Sequence, residues 1–129
     1  MDDFQLHDVS DFPVVRPRPG PVSPGAGVQW VREMDALLAR AQPFVMVMDG
    51  SMHEEEAHED RRERAIWMKQ NRDRMAALCR LVVAVEPDAV RRAAFKVQAA
   101  IAVKAFGVPM DVTATQEEAA LKAATALAA

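Results

Sequence analysis

The sequence predicts an α/β fold: a small single-domain sandwich of about four to five mostly parallel strands with alternating helices. Three observations predict it. Short apolar runs end in turn residues, stripes of helical period lie between them, and the two patterns alternate along the chain. Such alternation is typical of parallel strands joined by right-handed crossovers. A chain of 129 residues suits one domain, residues 1–129, with a core of its own.

The N-terminal third predicts two extended segments and one helix. Val14–Arg16 is a short apolar run whose neighbouring prolines place it at a sheet edge or end it early. Residues 4–9 could pair with it, so residues 1–12 are expected to be a flexible segment or an edge strand. His7 in this segment is predicted to lie on the surface. The helix is indicated by apolar residues at helical spacing, Trp30, Met34, Leu37, Leu38 and Ala41.

The middle of the chain predicts two buried strands around a long helix. Phe44–Met48 and Leu81–Val85 are continuous apolar runs, which is typical of strands covered on both faces. The helix between them is predicted to begin at Ser51, because Ser51 and Glu54 form a capping-box pattern, and to end at Cys79–Arg80.

The C-terminal third predicts helix, strand and helix. One helix runs from Asp88 to about Phe106 and ends before Gly107, a residue that suits the position just past a helix. A weaker strand follows at Val108–Val112. The last helix begins at Thr115, which forms a capping-box pattern with Glu118.

Composition narrows the classes of function. The formal net charge of −3 offers no basic excess for a nucleic-acid partner. No stretch approaches the roughly 20 apolar residues of a membrane span. The single cysteine, Cys79, fits a reducing cytoplasm and is predicted to be a buried structural thiol. No cofactor is predicted, because the chain has neither a Gly-rich phosphate loop followed by lysine nor a nucleophile-elbow motif.

The charged stretch from Asp49 to Arg72 contains two histidines, but their spacing argues against a metal site. Zinc peptidases place two histidines four residues apart, on one helix face. His53 and His58 are five apart, so they diverge by about 140° around a helix. No metal site is therefore predicted, and a metal-binding regulator that uses His53 and His58 is the weakest of the three hypotheses of function.

The same stretch predicts a candidate ligand or partner rim. The core stripe of Met68, Met75 and Leu78, continued backward at helical spacing, includes polar residues that need partners. Ligands of parallel α/β folds bind at the carboxyl ends of the strands, where this helix begins. The rim would consist of Asp49, Gly50, Ser51, Arg61, Arg64 and Asn71. In the alternative reading, Arg64 pairs with Asp60, Arg61 reaches water and Asn71 caps a backbone group.

The predicted helix 88–106 carries two apolar stripes side by side. One stripe contains Val90, Ala94, Val97, Ile101 and Ala105, and the other contains the interface candidates Phe95, Ala99, Ala102 and Phe106. Because one stripe covers the sheet, the other needs a partner, either the final helix or another subunit.

The segment "MDGS" (48–51) resembles a motif of the STAS domain family of anti-sigma factor antagonists, also called SpoIIAA-like. In that family a buried strand ends in an acidic residue, and a serine or threonine opening the next helix is phosphorylated by a partner kinase. Asp49 matches the family's acidic residue and Ser51 the phosphoacceptor, while Gly50 replaces the family's first hydroxyl residue. The resemblance covers the order of elements from about Pro13 to Leu127, and its specific motif is three residues.

The resemblance implies a non-enzymatic, cytoplasmic module for protein–protein interaction or regulation. Its expected partners are a second copy of the chain, as a homo-oligomer, or a regulator of the kinase or anti-sigma type. The alternative is a small enzyme or an anionic-ligand-binding protein that uses the rim formed by Asp49, Ser51, Arg61 and Arg64.

Overall fold

A computed structural model describes residues 4–18, 25–49 and 58–129 of the chain. These residues form five strands and five helices. The strands are β1 (His7–Asp8), β2 (Val14–Pro17), β3 (Phe44–Asp49), β4 (Cys79–Val85) and β5 (Met110–Thr113). The helices are α1 (Ala26–Ala39), α2 (His58–Gln70), α3 (Arg72–Leu78), α4 (Ala89–Phe106) and α5 (Gln116–Ala128).

The strands form one mixed sheet in the order β1-β2-β3-β4-β5. β1 pairs antiparallel with β2, and β2 to β5 pair with one another in parallel. The α/β class is therefore confirmed, and the predicted edge segment near the N-terminus contributes β1. Each parallel strand lies beside the strand that precedes it in the sequence, so every crossover moves along the sheet in the same direction.

The two faces of the sheet bury different sets of side chains. Helices α1, α2 and α3 cover one face, and the largest fully buried residues of that core are Met34, Leu37, Leu38, Phe44 and Met75. Helix α5 covers the opposite face. Its Ala119 and Ala123 lie directly on the valines of β3 and β4, Val45, Val47, Val83 and Val85. Alanine there lets the helix approach closely, because it adds no side chain beyond Cβ.

Local sequence sets the ends of the last two helices. The side chain of Asp88 accepts a hydrogen bond from the N–H of Val90 at 3.2 Å and caps α4. Gly107 ends α4 with a φ of 73°, a left-handed conformation that glycine adopts without strain. Thr115 accepts from the N–H of Glu118 at 3.1 Å and caps α5. The predicted end of α4 before Gly107 and the predicted capping role of Thr115 are confirmed, and the structure adds that Asp88, where the sequence placed the start of α4, is its N-cap.

The predicted single helix before β4 is wrong in one respect, because it is divided at Asn71. The backbone of Asn71 (φ −110°, ψ 20°) leaves helical values and separates α2 from α3. Its side-chain Nδ2 donates to the carbonyl of Trp67 at 3.0 Å, the same oxygen that its backbone N–H uses. Asparagine competes with helical hydrogen bonding in this way. The predicted start of the helix at Ser51 lies outside the described residues.

No helix in the described parts of the chain is both long enough and apolar enough to cross a membrane.

Candidate functional site

The carboxylate of Glu33, on the inner side of α1, is a densely bonded polar group within the described part of the chain. Glu33 is 3 % exposed. Its oxygens accept hydrogen bonds from the backbone N–H groups of Gln5, Leu6 and His7 at 2.9 to 3.0 Å. The amide of Gln29 donates to it at 2.8 Å. A buried charge is stable only when such donors replace water, and here they come mainly from the N-terminal segment.

His7 completes this arrangement and is buried, so the prediction of a surface residue is wrong. Its Nδ1 lies 2.9 Å from Glu33 Oε1. Because a carboxylate only accepts, Nδ1 carries the proton. The imidazole also contacts the ring of Phe4 edge-on, at 6.5 Å between centroids. Burial lowers the pKa of His7 below its ordinary 6.5, against the opposing effect of Glu33. Burial by itself would raise the pKa of Glu33, but its hydrogen bonds hold it below 4.5.

An aromatic pair joins α1 to α2 next to this carboxylate. Trp30 and Trp67 meet edge-on with ring centroids 5.3 Å apart. Trp67 is 4 % exposed, and its Nε1 donates to Asp35 at 2.8 Å. The guanidinium of Arg64 lies 6.0 Å from the centroid of the Trp30 ring. Trp67 is therefore a structural residue between α1 and α2.

Asp60 marks the closest approach of α1 and α2. It is 5 % exposed, and its Oδ1 accepts from the N–H of Gly27 at 3.0 Å. A Cβ atom on Gly27 would lie 3.0 Å from Asp60 Cα, which is tighter than ordinary contact, so a side chain at this position would require α2 to shift. Oδ2 of Asp60 is buried without a hydrogen-bond partner. Asp60 thus caps α1 from a neighbouring helix and does not lie on the surface.

The carboxyl edge of the sheet carries the residues that the sequence motif singled out. Asp49 is exposed at the end of β3, opposite Val85 of β4. Gly50, Ser51 and His53 lie outside the described residues. Beyond β4, the buried Glu86 accepts from Arg91 Nε at 3.0 Å.

The predicted rim is only partly brought together. Arg61 is exposed on α2, Arg64 is half-buried against Trp30, and both make further interactions. Asn71 lies ten residues after Arg61, just past the end of α2, which places it about 15 Å further from the start of that helix. It is engaged with the Trp67 carbonyl, as the alternative reading expects of it. Asn71 therefore belongs to the helix break rather than to a site with Asp49.

The strand order bears on a ligand crevice at this edge. In open α/β sheets the crevice forms where the direction of the crossovers reverses. From β2 to β5 the strand order never reverses, so no such point lies between Asp49 and the start of α4.

Helix α4 exposes one of its two apolar stripes almost completely. Phe95, Ala99, Ala102 and Phe106 are half-buried on the side that packs on β5. The other stripe faces outward, with Val90, Val97 and Ile101 exposed by 79 %, 64 % and 66 %. None of the 18 residues of α4 is fully buried. The free apolar surface is therefore made by the Val90 stripe, while the four interface candidates attach the helix to the sheet.

The described parts of the chain contain neither a group of side chains that could bind a metal ion nor an accessible thiol. These parts contain no group of three or more His, Cys, Asp or Glu side chains that could hold a metal ion. His58 is exposed at the start of α2. Cys79 is 1 % exposed, and burial raises the pKa of its thiol to about 12, so the predicted buried structural thiol is confirmed.

Comparisons with known proteins assign no function to the chain, so a proposal must rest on the geometry described above. No protein-family profile, no curated protein and no solved structure matches the chain.

Sequence reasoning missed the Glu33–His7 cluster for an identifiable reason. Glu33 reads as one more charged residue among the polar positions of α1, and His7 stands alone. The available signal was position, because Glu33 lies one residue before the core residue Met34 and one turn before Leu37. Helical spacing alone thus placed it beside the buried stripe.

Proposed function

We propose that this protein is a non-enzymatic module for protein–protein interaction, of the STAS-like regulatory type, and that the outward stripe of α4 is its contact surface. The observation that carries the proposal is the exposure of Val90, Val97 and Ile101 along one helix. Contiguous apolar surface of this kind is unusual on a monomeric protein and marks interaction sites. The α/β fold and the position of Asp49 at a strand end support the regulatory type.

The charge distribution around the stripe also supports binding to another protein. Between Ala89 and Phe106 the helix carries Arg91, Arg92, Lys96 and Lys104 and no carboxylate. Cations beside apolar residues, without acids between them, give a surface that discriminates among partners by charge as well as by shape.

The alternative, a small enzyme or anionic-ligand-binding protein at Asp49, Ser51, Arg61 and Arg64, has weaker support. The crossovers do not reverse direction beside Asp49, and Arg64 is directed toward Trp30. A thermal-shift screen with phosphate, sulfate and small carboxylic acids separates the two. A saturable increase in melting temperature that the Arg61→Ala variant loses would favour the alternative.

Photo-crosslinking in the native host tests the proposed contact surface. A photoreactive residue at position 97 on α4 should crosslink a defined protein, and Ile101→Glu in the same chain should abolish the product. The same residue at position 121 is the matched control, because Leu121 on α5 is 70 % exposed but lies on another helix. Equal crosslinking from both positions, or none from position 97, would exclude α4 as the contact surface.

The regulatory part of the proposal has its own readout. In the same crosslinking assay, Ser51→Asp and Ser51→Ala are compared in otherwise identical chains. If phosphorylation at Ser51 controls binding, the two variants differ in yield. The same yield from both would leave an interaction module without this switch.

A further inference from the structure

The outward stripe of α4 has the spacing of a helix–helix seam. Val90, Ala94, Val97, Ile101 and Ala105 follow one another at intervals of four, three, four and four residues. Intervals of three and four keep side chains on one face of a helix, and they are the intervals by which paired helices interdigitate. All five residues are exposed. The seam spans about 22 Å of the helix.

We infer that the occupant of this seam is a second copy of the chain, with the two α4 helices packed antiparallel about a twofold axis at Val97. The inference rests on the proposed function of α4 as a contact surface and names the partner. A twofold contact is self-complementary, so each residue of the seam must fit a residue of the same seam.

The sizes of the side chains fit the antiparallel arrangement. With the axis beside Val97, the seam residue of the second copy that lies nearest to Val90 is Ala105, and the one nearest to Ala94 is Ile101, each within one residue of exact opposition. On either side of the central Val97 pair, each larger side chain thus meets a small one, which lets the helices approach without voids. A parallel pair would place Ile101 against Ile101, which crowds the helices, and Ala94 against Ala94, which leaves a gap between them.

The charges at the two ends of α4 also fit this arrangement. At the N-terminal end, Arg91 pairs with Glu86, and Arg92 donates to the carbonyls of Glu86 and Pro87. The capping carboxylate of Asp88 is exposed there. At the C-terminal end Lys104 is exposed. Antiparallel packing brings Lys104 of one copy toward Asp88 of the other, and it opposes the two helix dipoles.

Strand addition is the other way in which two copies could meet at this side of the sheet. β5 is the edge strand beside α4. The N–H of Val112 is already bonded to Asp111 Oδ1 at 2.7 Å, so one donor of the edge strand is occupied, and a charged residue on an edge strand disfavours pairing with another strand. The helix seam is therefore the open surface.

Cysteine crosslinking tests the geometry in the full chain. The natural Cys79 is buried, so an engineered thiol reports alone. Under mild oxidation, Val97→Cys should give a disulfide-linked dimer, because the two positions meet at the axis. An equal mixture of Ala94→Cys and Ile101→Cys chains should crosslink to each other. Leu121→Cys is the matched exposed control and should remain monomeric. Efficient crosslinking of Ala94→Cys with itself would mean a parallel pair and would overturn the inference.

Sedimentation velocity over about two decades of concentration tests the equilibrium. The wild-type chain should dissociate on dilution. Val97→Lys sets two like charges face to face and should raise the dissociation constant at least about tenfold. Leu121→Lys should leave it unchanged, and urea unfolding of both variants verifies that they fold. A wild-type chain that stays monomeric throughout overturns the inference, whereas crosslinks from position 97 to a different protein would leave the proposed function standing.

Discussion

His7 Nδ1 lies 2.9 Å from Oε1 of Glu33, and the carboxylate also accepts the backbone N–H of the same histidine. One side chain of α1 thereby fixes a segment 26 residues earlier in the chain. β1 contains only two residues, so its pairing with β2 is too short to order the segment. Glu33 supplies the acceptors that a longer strand partner would otherwise provide.

Replacing Glu33 by glutamine should destabilise the protein by about 2 to 4 kcal/mol, because a neutral amide replaces a charged acceptor and directs its NH₂ at other donors. Urea unfolding measures the loss, and hydrogen exchange should show the amides of Gln5, Leu6 and His7 losing protection. Glu63→Gln, at an exposed position on α2, is the control. Unchanged protection of the three amides would contradict the assigned role of Glu33.

Stability should fall in two steps as the pH is lowered. The pKa of His7 is below 6.5 in the folded state. Below pH 6.5, His7 therefore binds a proton more readily in the unfolded chain than in the folded chain. The contribution of His7 to stability is therefore fully present above that pH and declines below it. The lowered pKa of Glu33 gives a second decline, which begins below about pH 4.5.

His7→Asn should remove the first of these steps. The asparagine amide can still donate to Glu33 but does not titrate. The free energy of unfolding, measured by urea at a series of pH values, should be flatter between about pH 5 and 6.5 than in the wild type. The decline below about pH 4.5 should persist. A variant with the wild-type slope in the upper window would show that another group causes it.

Gly27→Ala should destabilise the protein by about 1 to 3 kcal/mol through overpacking. The new Cβ would lie 3.0 Å from the backbone of Asp60 and 3.1 Å from Glu63 Cβ, so α2 must shift away from α1 by a few tenths of an ångström. Because Trp30 and Trp67 bridge these helices and are the only tryptophans, their fluorescence should change as well. Val28→Ala at the neighbouring exposed position should change stability by less than about 0.5 kcal/mol. A neutral Gly27→Ala variant would contradict the close approach.

Asp111 protects the edge of the sheet, and two substitutions separate its contacts. Its Oδ1 accepts from the N–H of Val112, and its Oδ2 pairs with Lys122 Nζ at 2.7 Å. Asp111→Ala removes both contacts, whereas Asp111→Asn keeps an oxygen for Val112. Light scattering during incubation near the melting temperature should show faster aggregation for the alanine variant only. Lys122→Gln, which removes only the ion pair, should behave like the asparagine variant. Equal aggregation of the alanine and asparagine variants would reject edge protection by Oδ1.

Local sequence was sufficient wherever the determining interaction is local. The apolar runs at Phe44–Met48 and Leu81–Val85 predicted β3 and β4 because a continuous apolar strand needs cover on both faces. Thr115 predicted the start of α5 because an N-cap bonds within three residues of itself. The break at Asn71 was missed although its interaction is also local, since asparagine is tolerated inside many helices.

The candidate surfaces could be predicted only in part. The sequence showed that α4 has two apolar stripes. Which stripe faces solvent depends on the rotation of the helix over β5, a tertiary property. The rim around Asp49 was assembled from helical periodicity, which places Arg64 correctly on the inner side of α2. Periodicity shows which face of a helix a residue occupies, but it does not show how far along the helix the residue lies from the edge of the sheet. Asn71 lies beyond the far end of α2, whereas Asp49 lies at the sheet edge where the chain leaves β3.

The sequence alone was thus sufficient for the order of the strands and helices apart from the break at Asn71, for the cap of α5 and for the apolar strands of the core, because hydrophobic period and capping act within a few residues. Tertiary structure alone decided that His7 and Glu33 meet, that Asp60 caps α1 through Gly27, and that Val97 lies on the open face of α4. These relationships join residues that are far apart in the chain or set by helix packing. Their energy comes from donors, acceptors and surfaces that only the folded sheet and its helices bring together.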